Sequence, residues 1–406
     1  MRKTVPIEQL QYGMYVAELD RPWTDTPFRF QGFVLKTPEQ LETLKKYCKS
    51  VQVDPDKAEV VARLPDQAFG AGGMKSPLDL SRTGKVKYTE QAPVEQEFGR
   101  AVTSYAAGEK AIQETLDALR AGRTLDAQRV TEAVNGLTQS VLRNPDAMLL
   151  YTQLQQKGDY TMSHALDVAV YMTAFGRFLE MSRDDISLLS HLGLLQDIGK
   201  VRVPNTLIEK RERLSIEEFE LAKKHVEHSV AILGEAKGLP ARLAELAVLH
   251  HERHDGSGYP KKLGSKEIGL IGSMAAIVDT FDALTARRPY AEPVAPSTAL
   301  SMLYKWRGTF FDPHLVEQFI RCIGIFPVGS IVELNSGEAG IVITQNLDKR
   351  LLPRVMIVRD AAGNPLKPQK LIDLSREPKI ASGEPYRIKR TLEYGRIPVT
   401  AENLFV

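Results

Sequence analysis

Histidine is confined to one part of this chain, and this confinement is the strongest constraint on its fold. All eight histidines lie between His164 and His314 of the 406 residues. Imidazole is the commonest transition-metal ligand in proteins, so the clustering predicts a metal-dependent site within one domain. In the middle of this region two adjacent histidines, His250 and His251, precede a turn that contains glycine and proline.

The composition is that of a globular protein and excludes several classes of function. Apolar residues make up 43% of the chain, and the formal net charge is +2. Such a balance predicts no DNA partner, although a small anionic nucleotide needs only a local basic pocket. No apolar run reaches the roughly 18 to 20 residues of a membrane span. The N-terminus lacks the apolar core of a signal peptide, and the two cysteines, Cys48 and Cys322, form no redox pattern. We therefore expect a cytoplasmic protein.

Changes in sequence texture predict a mainly α protein with several domains, as the length also implies. The helical part carries clear helix-start signals, and Ser215 with Glu218 predicts one helix that ends at Gly234. The predicted segments are a small N-terminal α/β domain (1–65), a flexible linker (66–95), linker or dimerisation helices (96–146), a helical domain (147–326), a C-terminal β extension (327–375) and a tail (376–406).

Six polar side chains in the helical domain are candidate metal ligands. Asp279 lies in an apolar segment, where a carboxylate must be paired, hydrogen-bonded or metal-bound. The neighbours His250 and His251 point about 100° apart, so both face one site only where a helix ends. From the residues alone, a metal site and ordinary hydrogen-bonded core histidines are equally good interpretations. The candidates are His164, Asp197, His225, His250, His251 and Asp279.

Short motifs in a fixed order over residues 150–326 resemble the HD-GYP family, whose members are metal-dependent phosphodiesterases that degrade cyclic di-GMP. The segment before the helices, with Tyr12-Gly13-Met14, resembles the uncharacterised domain that often precedes them. The resemblance implies a helical HD-superfamily domain over 147–326. The motifs are His164-Ala165-Leu166-Asp167, Gln196-Asp197-Ile198-Gly199-Lys200, Lys224-His225, His250-His251, Gly258-Tyr259-Pro260 and the run from Asp279 to Tyr290.

The resemblance also implies a cofactor and a set of site residues. It implies two divalent transition metals per chain, iron or manganese, that activate a water for attack on the phosphodiester. Lys200 would stabilise the phosphate and bind the nucleotide together with Arg288, so Asp197 and Lys200 become the catalytic residues. One metal would be held by Asp197, His225, His250 and His251, and the other by His164, Gln196, Asp279 and the bridging Asp197.

Three positions depart from the family pattern. Gln196 stands where the family carries the histidine of its His-Asp pair, so the second metal set is one imidazole short. Tyr160 replaces the glutamate of members that hold three metals, which argues against a third metal. Ala291 replaces a basic residue that commonly helps hold the nucleotide.

Two functions of different classes are compatible with the sequence, and the enzyme is the first expectation. The first is a cyclic di-GMP phosphodiesterase, weakened or retuned at Gln196, with pGpG or GMP as product. The second is a catalytically silent module that binds cyclic di-GMP or docks a diguanylate cyclase (GGDEF) domain through an exposed Gly258-Tyr259-Pro260 loop. Nonspecific nucleotide hydrolysis is a third reading, which the Gly-Tyr-Pro signature disfavours. A homodimer through residues 96–146 is also compatible with the sequence.

Overall fold

A computed structural model of the chain divides into two compact units. One unit comprises Met1–Met74 and Gly324–Ile397, and we call it the two-sheet unit. The other comprises Lys75–Ile323 and Pro398–Val406, and we call it the helical unit. The structure describes residues 3–10, 14–26, 28, 32–35, 38–54, 78–155, 160–286, 293–392, 397 and 404–405.

Each sheet of the two-sheet unit is antiparallel. The N-terminal sheet has the strand order β1-β4-β2-β3, and the C-terminal sheet has the order β8-β7-β6-β5-β9. The small N-terminal α/β domain and the C-terminal β extension expected from the sequence are thus confirmed. The elements are β1 (Lys3–Pro6), β2 (Tyr15–Leu19), β3 (Phe33–Val34), α1 (Pro38–Tyr47), β4 (Ser50–Asp54), β5 (Ile331–Leu334), β6 (Ala339–Thr344), β7 (Arg354–Arg359), β8 (Pro365–Asp373) and β9 (Ile388–Thr391).

The two-sheet unit joins an N-terminal and a C-terminal part of the chain, which the segment boundaries did not predict. Part of the predicted tail forms β9, which pairs with β5 at the edge of the C-terminal sheet. Two ion pairs then join this strand region to the N-terminal segment. Arg390 contacts Glu18 at 3.0 Å, and Arg387 contacts Asp25 at 2.8 Å.

The helical unit contains the expected helical domain and also the helices that precede it in the chain. Its core is formed by α5, α6 and α11, whose inward positions are nearly all apolar. The helices are α2 (Val94–Arg120), α3 (Ala127–Arg143), α4 (Pro145–Leu154), α5 (Tyr160–Phe178), α6 (Arg183–Leu195), α7 (Asn205–Ile208), α8 (Ile216–Lys223), α9 (His225–Glu235), α10 (Leu243–Ala247), α11 (Ser265–Thr285), α12 (Pro296–Trp306) and α13 (Pro313–Ile323).

Helices α2 and α3 pack within the helical unit, although the sequence suggested helices that link domains or form a dimer. Glu97, whose carboxylate is fully buried, stabilises their contact. It accepts hydrogen bonds from Arg143 at 2.7 and 2.9 Å and from the hydroxyl of Ser140 at 2.8 Å. The end of the predicted linker also packs within the helical unit. The amide of Lys85 donates to the carbonyl of Glu180, just after α5, at 2.7 Å. Residues 66–77 of that predicted linker lie outside the described residues.

The helix predicted from Ser215 to Gly234 is two helices. The predicted capping box is present, because Ser215 accepts from the amide of Glu218 and the Glu218 carboxylate accepts from the amide of Ser215. However, α8 ends at Lys223 and α9 begins at His225. The break places His225 at a helix start, where its ring can turn into the interior.

Among the described residues, one helix is long and apolar enough to cross a membrane by composition. This helix is α11, and 72% of its most apolar window is buried inside the protein. Such burial is what the central helix of a helical core requires.

Removal of the Glu97 carboxylate should destabilise the helical unit. The side chain of Arg143 is 27% exposed and can be partly rehydrated, so we expect Glu97→Ala to lower the free energy of unfolding by about 2–3 kcal/mol. Urea unfolding followed by far-ultraviolet circular dichroism measures this loss. Gln96→Ala, at an exposed neighbouring position, is the control. Equal effects of the two substitutions would contradict the stabilising role of the buried pair.

Candidate metal centre

Five structural elements bring the predicted ligands together. His164 lies in the first turns of α5, and Gln196 and Asp197 lie where α6 passes into the 3-10 helix Ile198–Arg202. His225 is the first residue of α9, and Asp279 lies within α11. The adjacent pair of histidines occupies the turn after α10, where the helix has ended and both rings can face inward.

The ligand atoms form two groups that share one carboxylate. Asp197, His225, His250 and His251 form the first group, and His164, Asp197 and Asp279 form the second. Within each group the candidate ligand atoms lie within 4.8 Å of one another. Asp197 therefore lies between two positions at which a cation can bind.

The two oxygens of Asp197 face different groups. Its Oδ1 lies 3.1 Å from Nε2 of His225 and 3.5 Å from Nε2 of His250. Its Oδ2 lies 3.1 Å from Nε2 of His164 and 2.8 Å from Nζ of Lys200. Burial tends to raise the pKa of Asp197, but Lys200 and the surrounding histidines hold it well below the usual range.

The tautomers of His225 and His250 follow from their backbone contacts. Nδ1 of His225 lies 2.7 Å from the carbonyl of Ala222, and Nδ1 of His250 lies 2.7 Å from the carbonyl of Ala247. A carbonyl only accepts, so both Nδ1 atoms carry the hydrogen and both Nε2 atoms present lone pairs. These lone pairs face each other at 3.4 Å and face Asp197 Oδ1, which is buried without a hydrogen-bond partner among the described residues. Three acceptors that converge in this way fit a bound cation.

His164 is surrounded by carboxylates. Its Nε2 lies 3.1 Å from Asp197 and 3.1 Å from Asp279, while its Nδ1 lies 2.6 Å from Asp282. Burial alone would lower the pKa of His164, but Tyr160 and these three carboxylates raise it well above its usual range. The second group is thus rich in negative charge and attracts a cation.

The contact of Asp282 with His164 adds a residue to the site. From the sequence alone, a local bond near Thr285 is the expected role of Asp282. Instead, its carboxylate orients His164, and the hydroxyl of Thr285 bonds the backbone carbonyls of Phe281 and Asp282. The spacing of Asp279 and Asp282, one helical turn apart, was the signal that could have found it.

Gln196 takes the position where the family carries histidine. Its Nε2 lies 3.3 Å from Asp279 Oδ1, and its Oε1 is buried without a hydrogen-bond partner among the described residues. A buried amide oxygen without a partner costs free energy unless something binds it. The unpartnered amide oxygen is therefore a candidate ligand atom for a cation of the second group.

The Gly-Tyr-Pro loop is not the exposed loop that was expected. Gly258 is buried, and a Cβ at this position would collide with the backbone of Glu252 and Arg253. The carboxylate of Glu252 is also fully buried and accepts from the amides of Lys261 at 2.7 Å and Leu263 at 2.9 Å. The loop is therefore anchored directly behind the ligand pair, and Tyr259 packs against His251 with ring centroids 4.7 Å apart.

A second close contact between backbone segments fixes the position of the segment that carries Asp197. A Cβ on Gly199 would collide with the carbonyl of His225 and the amide of Ser229, and the amide of Gly199 donates to the Ser229 hydroxyl at 2.8 Å. The glycine thus allows the segment that carries Asp197 to lie directly on α9.

The other positions considered lie beside the two groups, elsewhere in the helical unit or outside the described residues. Nδ1 of His191 contacts the carbonyl of Ser187 at 2.9 Å, as expected for a structural histidine. Tyr160 stacks on His164 with ring centroids 5.5 Å apart. Arg288 and Ala291 lie outside the described residues.

Three protein families match successive parts of this chain. Residues 2–130 match a domain of unknown function (DUF3391), residues 147–315 match the HD domain, and residues 331–381 match the KOW domain associated with HD domain. The order agrees with the resemblance noted in the sequence, and the DUF3391 match extends into α3.

Curated relatives are similar over nearly the whole chain or over less than half of it. The cyclic di-GMP phosphodiesterase PA4108 of Pseudomonas aeruginosa is 31% identical over 93% of this chain and 90% of its own length. The 3'3'-cGAMP-specific phosphodiesterase 2 of Vibrio cholerae is 33% identical over 44% of this chain and 35% of its own. A cyclic di-GMP phosphodiesterase of Thermotoga maritima is 37% identical over 36% of this chain and 41% of its own.

A solved structure, Bd1817, an HDG"Y"P protein from Bdellovibrio bacteriovorus, aligns with a TM-score of 0.46 and 14% identity, over 79% of this chain and 98% of that chain. At this distance the alignment does not bear on function. The full-length match to PA4108, together with the three domains in this order, shows that the chain belongs to the HD-GYP family of HD-domain proteins.

Proposed function

We propose that this protein hydrolyses cyclic di-GMP with the help of two divalent metal ions. The observation that carries the proposal is the pair of ligand groups that share Asp197, in which lone pairs and carboxylate oxygens converge. Relatives named as cyclic di-GMP phosphodiesterases support the substrate. We further propose that the enzyme acts in the cytoplasm.

Asp197, His225, His250 and His251 would hold the first metal. The backbone contacts of His225 and His250 fix their rings with Nε2 directed inward, so little ordering remains to be done upon binding. All four side chains that this site needs are present.

His164, Asp197, Asp279 and Gln196 would hold the second metal. A neutral amide oxygen is a weaker ligand than an imidazole nitrogen for iron or manganese, so we expect lower affinity at this site. The mixed imidazole and carboxylate set favours these two metals over a thiolate-bound zinc.

When bound, two metals would lower the pKa of a water and stabilise the attacking and leaving oxygens of the phosphodiester. The chain supplies the rest. Lys200 holds the carboxylate of Asp197 in place, and its remaining N–H groups can donate to a phosphate oxygen. Attraction to Asp197 outweighs burial and raises the pKa of Lys200, so this side chain stays charged. We propose Arg288 as a second contact to the phosphate.

A catalytically silent binding module is the second candidate, and Gln196 is the observation that favours it. With a weakened second site, the protein would bind cyclic di-GMP without turning it over, or would dock a diguanylate cyclase (GGDEF) domain. The buried position of Gly258 leaves only the half-buried Tyr259 and Pro260 of that loop for such docking.

Loss of Asp197 should abolish hydrolysis. Asp197→Ala removes a ligand from both metal groups, so we expect turnover of cyclic di-GMP to fall to the uncatalysed background. The assay uses protein purified anaerobically with ferrous iron or manganese. Asp184→Ala, which removes an exposed carboxylate from α6, is the control and should keep full activity. Residual turnover in Asp197→Ala would rule out the shared ligand.

Restoration of the family histidine should strengthen the second site. We expect Gln196→His to increase the metal content per chain and the turnover number, because an imidazole nitrogen replaces a neutral oxygen. Metal analysis and initial-rate assays measure the two effects. An increase in metal content without an increase in turnover would show that the defect lies elsewhere, and no change in either would show that Gln196 is not a limiting ligand.

Loss of the carboxylate that orients His164 should weaken metal binding without unfolding the protein. We expect Asp282→Asn to lower the affinity for manganese about 10- to 100-fold. Thr285→Val, on the same helix, removes a hydroxyl that donates to the backbone carbonyls of Phe281 and Asp282 and should leave the affinity unchanged. Equal affinities for Asp282→Asn and the wild type would contradict the orienting role of Asp282.

A further inference from the structure

An exposed aromatic side chain lies close to the metal centre and is not explained by packing. Phe219 of α8 is 46% exposed, and α8 has no buried residue. Its ring centroid lies 6.0 Å from that of Tyr259, with the two ring planes at 81°. Tyr259 in turn packs against the ligand His251. A line of rings thus leads from the metal centre to solvent.

Solvent reaches the metal centre on the side where this line of rings begins. The side chain of His250 is fully buried, whereas that of His251 is 16% exposed and that of Lys200 is 19% exposed. His251 and Lys200 are the most exposed of these site side chains, so we infer that a phosphodiester approaches past them. A base attached to its ribose can then reach Tyr259, which packs against His251, and Phe219 beyond it.

A cation accompanies the two outer rings. Nζ of Lys223 lies 5.2 Å from the ring centroid of Phe219 and 5.5 Å from that of Tyr259. Lys223 is one helical turn from Phe219, so both side chains leave the same face of α8. Lys223 also pairs with Glu220 at 2.6 Å, and an ammonium group with three donors can bind another acceptor as well.

We propose that Phe219, Tyr259 and Lys223 form a subsite for a guanine base, an inference that rests on the proposed hydrolysis of cyclic di-GMP. Aromatic side chains provide a stacking surface for a base, and a lysine donates to the O6 and N7 acceptors of guanine. The subsite positions the nucleotide while the metal centre acts on its phosphodiester. The relatives named for cyclic di-GMP and for 3'3'-cGAMP act on ligands that both contain guanine.

The helix offers a matched control for Phe219. Leu221 is 47% exposed, close to the 46% of Phe219, but lies two positions further along the helix and leaves it about 200° away. A role of α8 in folding or in docking a protein partner would depend on both side chains. Of these two side chains, the base subsite depends on Phe219 alone.

The test compares Phe219→Leu with Leu221→Ala in the metal-loaded full chain. We expect Phe219→Leu to raise KM for cyclic di-GMP about 5- to 100-fold, because stacking is lost. Phe219→Tyr should keep the wild-type value, and so should Leu221→Ala. Metal content and the inhibition constant of inorganic phosphate, which has no base, should not change in Phe219→Leu.

Several outcomes would overturn the subsite. A wild-type KM in Phe219→Leu would do so, as would equal increases in Phe219→Leu and Leu221→Ala. A phosphate inhibition constant that rises as much as KM would show instead that α8 merely positions His225. If the wild type binds cyclic di-GMP without turnover, the proposed hydrolysis fails, and the same comparison is made on Kd. If it neither binds nor hydrolyses cyclic di-GMP, both proposals fail.

Lys223→Met tests whether the subsite distinguishes guanine from adenine. Cyclic di-AMP differs from cyclic di-GMP only in its bases, and adenine presents an amino group in place of the O6 acceptor. We expect Lys223→Met to weaken binding of cyclic di-GMP at least about 5-fold and to weaken binding of cyclic di-AMP less, because adenine offers Lys223 the N7 acceptor but not O6. Equal losses for the two ligands would contradict guanine recognition by Lys223.

Discussion

The shared carboxylate of Asp197 is the constraint on which the helical unit depends. One of its oxygens faces the Nε2 atoms of His225 and His250, and the other faces His164 and Lys200. Buried acceptors in such number are unfavourable unless positive charge compensates them. The convergence of histidines from three separate segments on this carboxylate therefore fits a site that binds a cation.

The surrounding fold is arranged to hold these ligands at fixed orientations. Gly199 lets the Asp197 segment lie on α9, and the break before α9 turns His225 inward. On the other side, Glu252 pins the loop that carries Tyr259 behind the histidine pair. Ligand positions set by backbone contacts require little reorganisation when a metal binds, which favours affinity.

Much of this organisation could be predicted from the sequence, because metal ligands and helix caps leave local signals. The mainly α fold, the family and the capping box at Ser215 were predicted correctly. The break of that helix before His225 was not, because apolar spacing continues across it. The role of Asp282 was missed because its partner is 118 residues away in sequence. The union of residues 1–74 with residues 324–397 in one unit was missed for the same reason, since ion pairs such as Arg390–Glu18 leave no local pattern.

The central claim is that Asp197 bridges two metal ions, and electron paramagnetic resonance of the manganese-loaded protein tests it most directly. Two manganese ions held roughly 3.5 to 4 Å apart by a shared carboxylate are magnetically coupled. We predict two manganese ions per chain and a coupled spectrum, which reverts to that of isolated ions in Asp197→Ala. An isolated-ion spectrum from fully loaded wild-type protein would contradict the account.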